Sequence, residues 1–101
     1  MTIKQVEIHP EALAEAEAAV AWYGERSSHA PVALMEELDN AIKSILDNPR
    51  RWPIFDLDFR RLPLFRFPYS IVYREKSTGV VQILAMAHGR RRPGYWRART
   101  R

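Results

Sequence analysis

The sequence predicts a single two-layer α+β domain in which a helical hairpin covers one face of a mostly antiparallel four-stranded sheet. Three observations lead there. Between residues 11 and 47 apolar positions recur at three- and four-residue spacing in two stretches separated by a polar turn, the period of amphipathic helices. After Asn48-Pro49 the pattern changes to alternation, as in strands with one buried side. Val80 to Ala87 is then apolar except for Gln82, long enough for one strand buried on both faces. At 101 residues the chain has room for one core and little more.

In chain order, Ile3 to Ile8 alternates loosely and reads as a first strand, ended by His9-Pro10. Pro10 suits the opening of a helix from Glu11 to Arg26, whose stripe is Leu13, Ala16, Val20 and Tyr23 with Ala12 and Ala19 beside it. Trp22 falls roughly opposite that stripe and reads as a partly covered surface aromatic. Gly24 to Ala30 forms the turn, and Pro31 fits the first turn of a second helix over Val32 to Asp47. There Leu34, Met35, Leu38, Ala41, Ile42, Ile45 and Leu46 make a broad apolar face, and Pro49 stops the ladder of hydrogen bonds. Arg50 to Phe59 is a connection whose Trp52, Ile54 and Phe55 must fold back onto the sheet or helices. Three strands follow, Arg60 to Leu64, Phe65 to Arg74 and Val80 to Ala87, with a hairpin turn over Glu75 to Gly79. Pro63 places the first of them at an edge or ends it. The order is strand, helix, helix, strand, strand, strand, and the sheet face away from the helices is left for solvent or a partner.

Charge divides the chain. Residues 1–48 hold three Lys/Arg against nine Asp/Glu, a net of −6; residues 49–101 hold thirteen against three, a net of +10. Twelve of those thirteen cations are arginine, whose planar fork pairs bidentately with phosphate or carboxylate, so the asymmetry favours an anionic partner. With no cysteine there is neither a disulfide framework nor thiolate ligation, and His9, His29 and His88 lack ligand spacing, so no metal or other cofactor is expected. No apolar run is long enough to span a membrane and the first residues do not read as a signal peptide, which points to a soluble cytoplasmic protein.

The ordered set Ala18-x-x-x-Trp22-Tyr23, Ile45-Leu46-x-Asn48-Pro49, Arg60-Arg61, Phe67-Pro68-Tyr69-x-Ile71-Val72-Tyr73 and His88-Gly89-Arg90-Arg91-x-Pro93-x-Tyr95-Trp96 resembles the RelE/ParE toxin superfamily over nearly the whole chain. The ending is closer to the ParE branch. The resemblance implies a toxin of a bacterial type II toxin–antitoxin pair, with the β-α-α-β-β-β fold, neutralised by a cognate antitoxin, and DNA gyrase as the target. The RelE branch instead cuts mRNA in the ribosome. That chemistry needs a base for the 2′-hydroxyl, cations for the phosphorane and an acid for the leaving oxygen. Arg91 matches the RelE-branch arginine after the last strand and Tyr95 loosely its tyrosine, but Ser70 stands where the strand arginine would be. No lysine lies between Lys43 and Lys76. Arg60 and Arg61 can supply charge but are poor proton donors. The chain is therefore read as a binding toxin rather than an enzyme, with the ribosome-dependent endoribonuclease and a non-toxic interaction module as alternatives.

Of the single residues, His88 is either a general base beside Arg90 and Arg91 or a strand-end histidine that orients the turn through a backbone hydrogen bond. Arg90, Arg91 and Arg92, braced by Pro93 and Trp96, form a cationic tip for a target or an acidic antitoxin segment. Trp96 is expected to pack back over the open sheet face, while Tyr95 is left open between packing and stacking on bases. The sequence contains no phosphate loop and no DNA-reading module, so sequence-specific DNA binding by this chain alone is not expected.

Overall fold

In the computed structural model, which describes residues 3–100, a five-stranded sheet carries two helices on one face. Strand β1 (Gln5–Ile8) leads into α1 (Pro10–Gly24) and α2 (Ala30–Asp47); β2 (Ile54–Asp56), β3 (Phe59–Pro63), β4 (Tyr69–Ser77) and β5 (Val80–His88) follow, and a 3-10 turn covers Arg97–Thr100. Sheet order is β1-β5-β4-β3-β2. Strands β2 to β5 form the antiparallel meander, and β1 joins parallel to β5, with Gln5 opposite Val80 and Ile8 opposite Ile83. The fold is the predicted α+β architecture with one more strand than expected. The extra strand, β2, lies inside the Arg50 to Phe59 connection, where it gives an edge partner to Phe59 and Arg60. Pro63 ends β3.

The helices begin where their caps allow. His9 accepts the Glu11 backbone N–H through Nδ1 at 3.1 Å, and Pro10 follows at the first helical position. Before α2, the Ser27 hydroxyl accepts the N–H groups of His29 and Ala30. Asn48 caps the far end of α2, and the next carbonyl, that of Pro49, accepts a 2.6 Å hydrogen bond from the Tyr73 hydroxyl. Tyr73 is wholly buried, and burial pushes its phenol up to about 12.

The sheet-facing side of α1 is the expected one except at Leu13. Ala12 and Ala19 are buried and Ala16 and Tyr23 pack beside them, whereas Leu13 is 53% exposed. Small side chains let the helix axis approach β5 closely, and the larger Leu13 is turned outward. On α2 the predicted face holds for Leu34, Ala41 and Ile45, but Met35 is 46% exposed. The hairpin surface thus keeps an apolar groove lined by Ala16, Val20, Met35 and Leu38. Trp22 is a surface aromatic, as expected, with the Arg26 guanidinium 3.7 Å over its ring.

The strand β5 contains a bulge. Val72 pairs with Ala85 but Tyr73 pairs with Ile83, so Leu84 is the extra residue. The bulge reverses the alternation. Val81 and Ile83 before it and Met86 after it all lie in the helix-side core, while Leu84 and Ala85, in succession, face the other way. They belong to a second cluster with Phe59, Val72 and Trp96, edged by Phe55, Ala87 and Tyr95. The sheet face away from the helices is therefore covered by the chain's own C-terminal aromatics, as expected for Trp96. No helix among the described residues is long and apolar enough to cross a membrane.

Candidate functional site

The site is built at the end of β5. Strand β1 stops at Ile8, the His9 N–H closes the parallel ladder on the Ile83 carbonyl at 2.9 Å, and α1 begins. Beyond that point the edge of β5 has lost its neighbour. Its polar backbone groups need other partners. Glu15 on α1 accepts the Met86 N–H at 3.1 Å, and Arg99 donates to the Leu84 carbonyl at 2.9 Å. The two side chains then clasp each other through two charge-assisted bonds of 2.8 and 3.1 Å. The Tyr95 hydroxyl donates to the same carboxylate at 2.7 Å, and the Arg91 guanidinium stands 3.8 Å from it. Burial pushes the Glu15 carboxyl up, but the bonds from Arg99, Tyr95 and Met86 together hold it below its ordinary 4.5. The same arrangement keeps the Tyr95 phenol far above the usual range, through burial first and the Glu15 carboxylate second.

This clasp ties the segment after Gly94 across the sheet. Gly94 has a φ of 82°, a left-handed conformation that glycine adopts without steric cost, and the turn it makes sends Tyr95 and Trp96 back over β5. Trp96 is 5% exposed, with its ring 5.7 Å from Phe55 and 6.3 Å from Phe59. Arg97 adds an ion pair to Asp56 at 2.7 Å.

Beside the tail lies a cleft lined by Phe55, Arg61, Ser70, Val72, Arg91 and Tyr95. Arg61 projects over the Phe55 ring at 4.7 Å and Arg91 over the Tyr95 ring at 4.0 Å, so each guanidinium rests on an aromatic face. Register explains the gathering: Arg61 pairs with Val72 and Ser70 with Ala87, all on the sheet face away from the helices. Past the cleft, Arg90 and Arg92 are exposed, and neither side chain has a hydrogen bond or ion pair among the described residues.

The residues singled out in the sequence thus part company. Arg61, Arg91 and Tyr95 come together at the cleft, and Arg90 and Arg92 stand at its rim. Arg60 goes to the opposite face, where it donates to the Trp52 carbonyl at 2.7 Å. His88 pairs across the sheet with Tyr69 and packs edge-on to its ring at 5.0 Å, on the helix side, while its Nδ1 accepts the Arg90 N–H at 3.0 Å. That bond shapes the turn, and His88 also contributes to the lining of the cleft. Glu15 and Arg99 were not anticipated. A signal for Glu15 exists: it lies three residues after Ala12 and four before Ala19, on the stripe that meets the sheet.

The comparisons with known proteins agree with this geometry. Residues 6–93 match the family described as ParE toxin of type II toxin–antitoxin system, parDE. The chain belongs to the ParE toxin family. A chain of a solved structure, the chromosomal ParDE toxin–antitoxin system from P. aeruginosa, has the same fold, with a TM-score of 0.73 at 19% identity over 85% of this chain and 96% of that one. No curated protein matches the sequence. For a member of the ParE family, an antitoxin partner follows from membership.

Proposed function

We propose that this ParE-family chain acts by binding DNA gyrase through the cationic end of its sheet, and that it performs no covalent chemistry of its own. The observation that carries the reading is the commitment of the proton-transfer candidates to structure. The Tyr95 hydroxyl is held by Glu15, the His88 imidazole packs on Tyr69, and Ser70 lines the cleft where the RelE-branch strand arginine would stand. What is left free is charge: Arg61, Arg90 and Arg92 form no ion pair among the described residues, so an anionic surface can engage them without displacing a carboxylate.

The antitoxin, on this reading, covers a different surface. The apolar groove of the hairpin has Glu17 at its rim and Asp39 nearby, so it suits an amphipathic segment bearing apolar anchors and basic flanks. The sequence suggested instead an acidic segment on the arginine-rich side, where Trp96 and Tyr95 fill part of the sheet face and leave the cleft beside them.

A supercoiling assay tests the target. Purified wild type should inhibit gyrase and trap it on cut DNA, and an Arg90→Ala/Arg92→Ala variant with unchanged melting temperature should not. Indifference of gyrase to the wild type, together with discrete transcript cuts in a translating extract, would transfer the protein to the endoribonuclease reading.

A further inference from the structure

The loop between β3 and β4 carries the most exposed large apolar residue of the described chain. Phe65 is 94% exposed. Its exposure is enforced by its neighbours. Leu64 before it is buried at 7%, its N–H bonded to the Tyr69 carbonyl at 2.9 Å, and Phe67 after it packs edge-on to Tyr23 at 5.0 Å. Glu37 on α2 accepts the backbone N–H groups of both Phe65 and Arg66, and its carboxylate lies 3.6 Å from the Arg66 guanidinium. With Leu64 and Phe67 packed inward and the two N–H groups held by Glu37, the backbone of the loop directs the ring outward. An exposed aromatic on a held backbone costs little loop ordering when a partner covers it.

The loop also lies at the same end of the sheet as the arginine tip. Pro63 pairs with Ser70 and Tyr69 with His88, and the Gly89 N–H donates to the Pro68 carbonyl at 2.9 Å. This end therefore presents a projecting aromatic ring together with Arg66, Arg90 and Arg92; the Glu37 carboxylate is spent on the loop and that of Glu15 on Tyr95, Arg99 and Arg91, so neither pairs with Arg90 or Arg92 among the described residues. Aromatic rings beside a cationic track are what an unpaired nucleic acid strand needs, because every base has a π-face and every linkage a phosphate.

We infer that this end of the domain binds single-stranded nucleic acid, with a base stacked on Phe65 and the adjoining phosphates held by Arg90 and Arg92. The inference deepens the gyrase reading by naming the component of a protein–DNA target that the toxin touches. It needs no sequence readout.

The test is fluorescence anisotropy of a labelled single-stranded thymidine oligonucleotide with the full chain, without gyrase, beside a supercoiling assay on the same preparations. Wild type should bind with an affinity that falls with salt. Phe65→Ala should weaken binding about tenfold while Phe65→Trp retains it. Removing Arg92 should lower the salt slope by about one. Absence of oligonucleotide binding by the wild type, or full binding by Phe65→Ala, overturns the inference even where gyrase is inhibited. Loss of inhibition by Phe65→Ala with oligonucleotide binding intact also overturns it, by assigning Phe65 to a protein pocket. Oligonucleotide binding that depends on Phe65, with gyrase unaffected, sustains the inference and rejects the gyrase target.

Discussion

The two faces of the sheet are covered in different ways. On one, α1 and α2 lie over Ile71, Tyr73, Val81, Ile83 and Met86, and the cover is thirty-odd residues of continuous helical hairpin whose own periodicity favours it. On the other, Trp96 and Tyr95 lie over Val72, Leu84 and Ala85, and the cover is a short tail with no periodic pattern, secured by the Glu15 carboxylate, the Leu84 carbonyl and the Arg97–Asp56 ion pair. A face covered by regular structure draws its stability from many small contributions. A face covered by a tail depends on its fastening, and here the fastening also positions Arg91. The arginine-rich end, proposed above to meet the target, thus hangs from the less redundant of the two covers.

The largest effect should come from breaking the redundant side. Ile45 is wholly buried under the sheet, and Ile45→Ala should cost about 2–5 kcal/mol, read as a drop in the denaturation midpoint with every probe moving together. Glu15→Ala should cost about 3 kcal/mol, since it leaves Arg99, Tyr95 and the Met86 N–H without their common acceptor. Its signature should be local. Amide exchange should rise first at Leu84 to His88 and in the tail, while the helices stay protected. Equal acceleration in α2 would mean that the two covers are one cooperative unit.

Much of this contrast was legible in the sequence and some was not. Helix spans, the hairpin and the meander followed from local periodicity, which each segment carries by itself. The bulge at Leu84 was hidden because Val80 to Ala87 is apolar on both faces, so a one-residue slip leaves no mark on the pattern. On α1 the periodicity places Leu13 on the buried stripe with Ala16, Val20 and Tyr23, yet Leu13 alone is exposed, because a close helix–sheet approach selects the small Ala12 and Ala19. The Glu15–Arg99 pair spans 84 residues, and nothing local announces it in an acidic helix and a basic tail. The burial of Trp96 was expected from its place in the tail; the clasp that holds it there was not.

Acid sharpens the comparison further. Glu15 has a folded-state value held below 4.5, so the unfolded chain binds its proton more readily. The clasp's contribution is complete above that value and is lost as pH falls through the lower folded value. Melting temperature should decline over that window, and Glu15→Gln, with nothing to titrate at this position, should decline less steeply. Parallel curves for the two proteins would assign the acid sensitivity to other carboxylates.

The smallest effect on stability is expected at the rim. Arg92→Ala should change unfolding by no more than about 0.5 kcal/mol, because the side chain touches no partner among the described residues, and yet it should reduce growth inhibition in an induced culture. A matching loss of stability would place Arg92 in the tail's fastening instead of at the target.

The parallel pairing of β1 with β5 has a consequence for the order of events during synthesis. The strand nearest the N-terminus can find its place only after Val80 to Ile83 have been made, and Glu15 can be satisfied only when Arg99 follows. Until then the ribosome carries a helical hairpin with nothing to lie on and a meander lacking its long-range closure, a topology that forms slowly. The end of β5, with its arginines and the Glu15 clasp, would therefore be the last part of the domain to form.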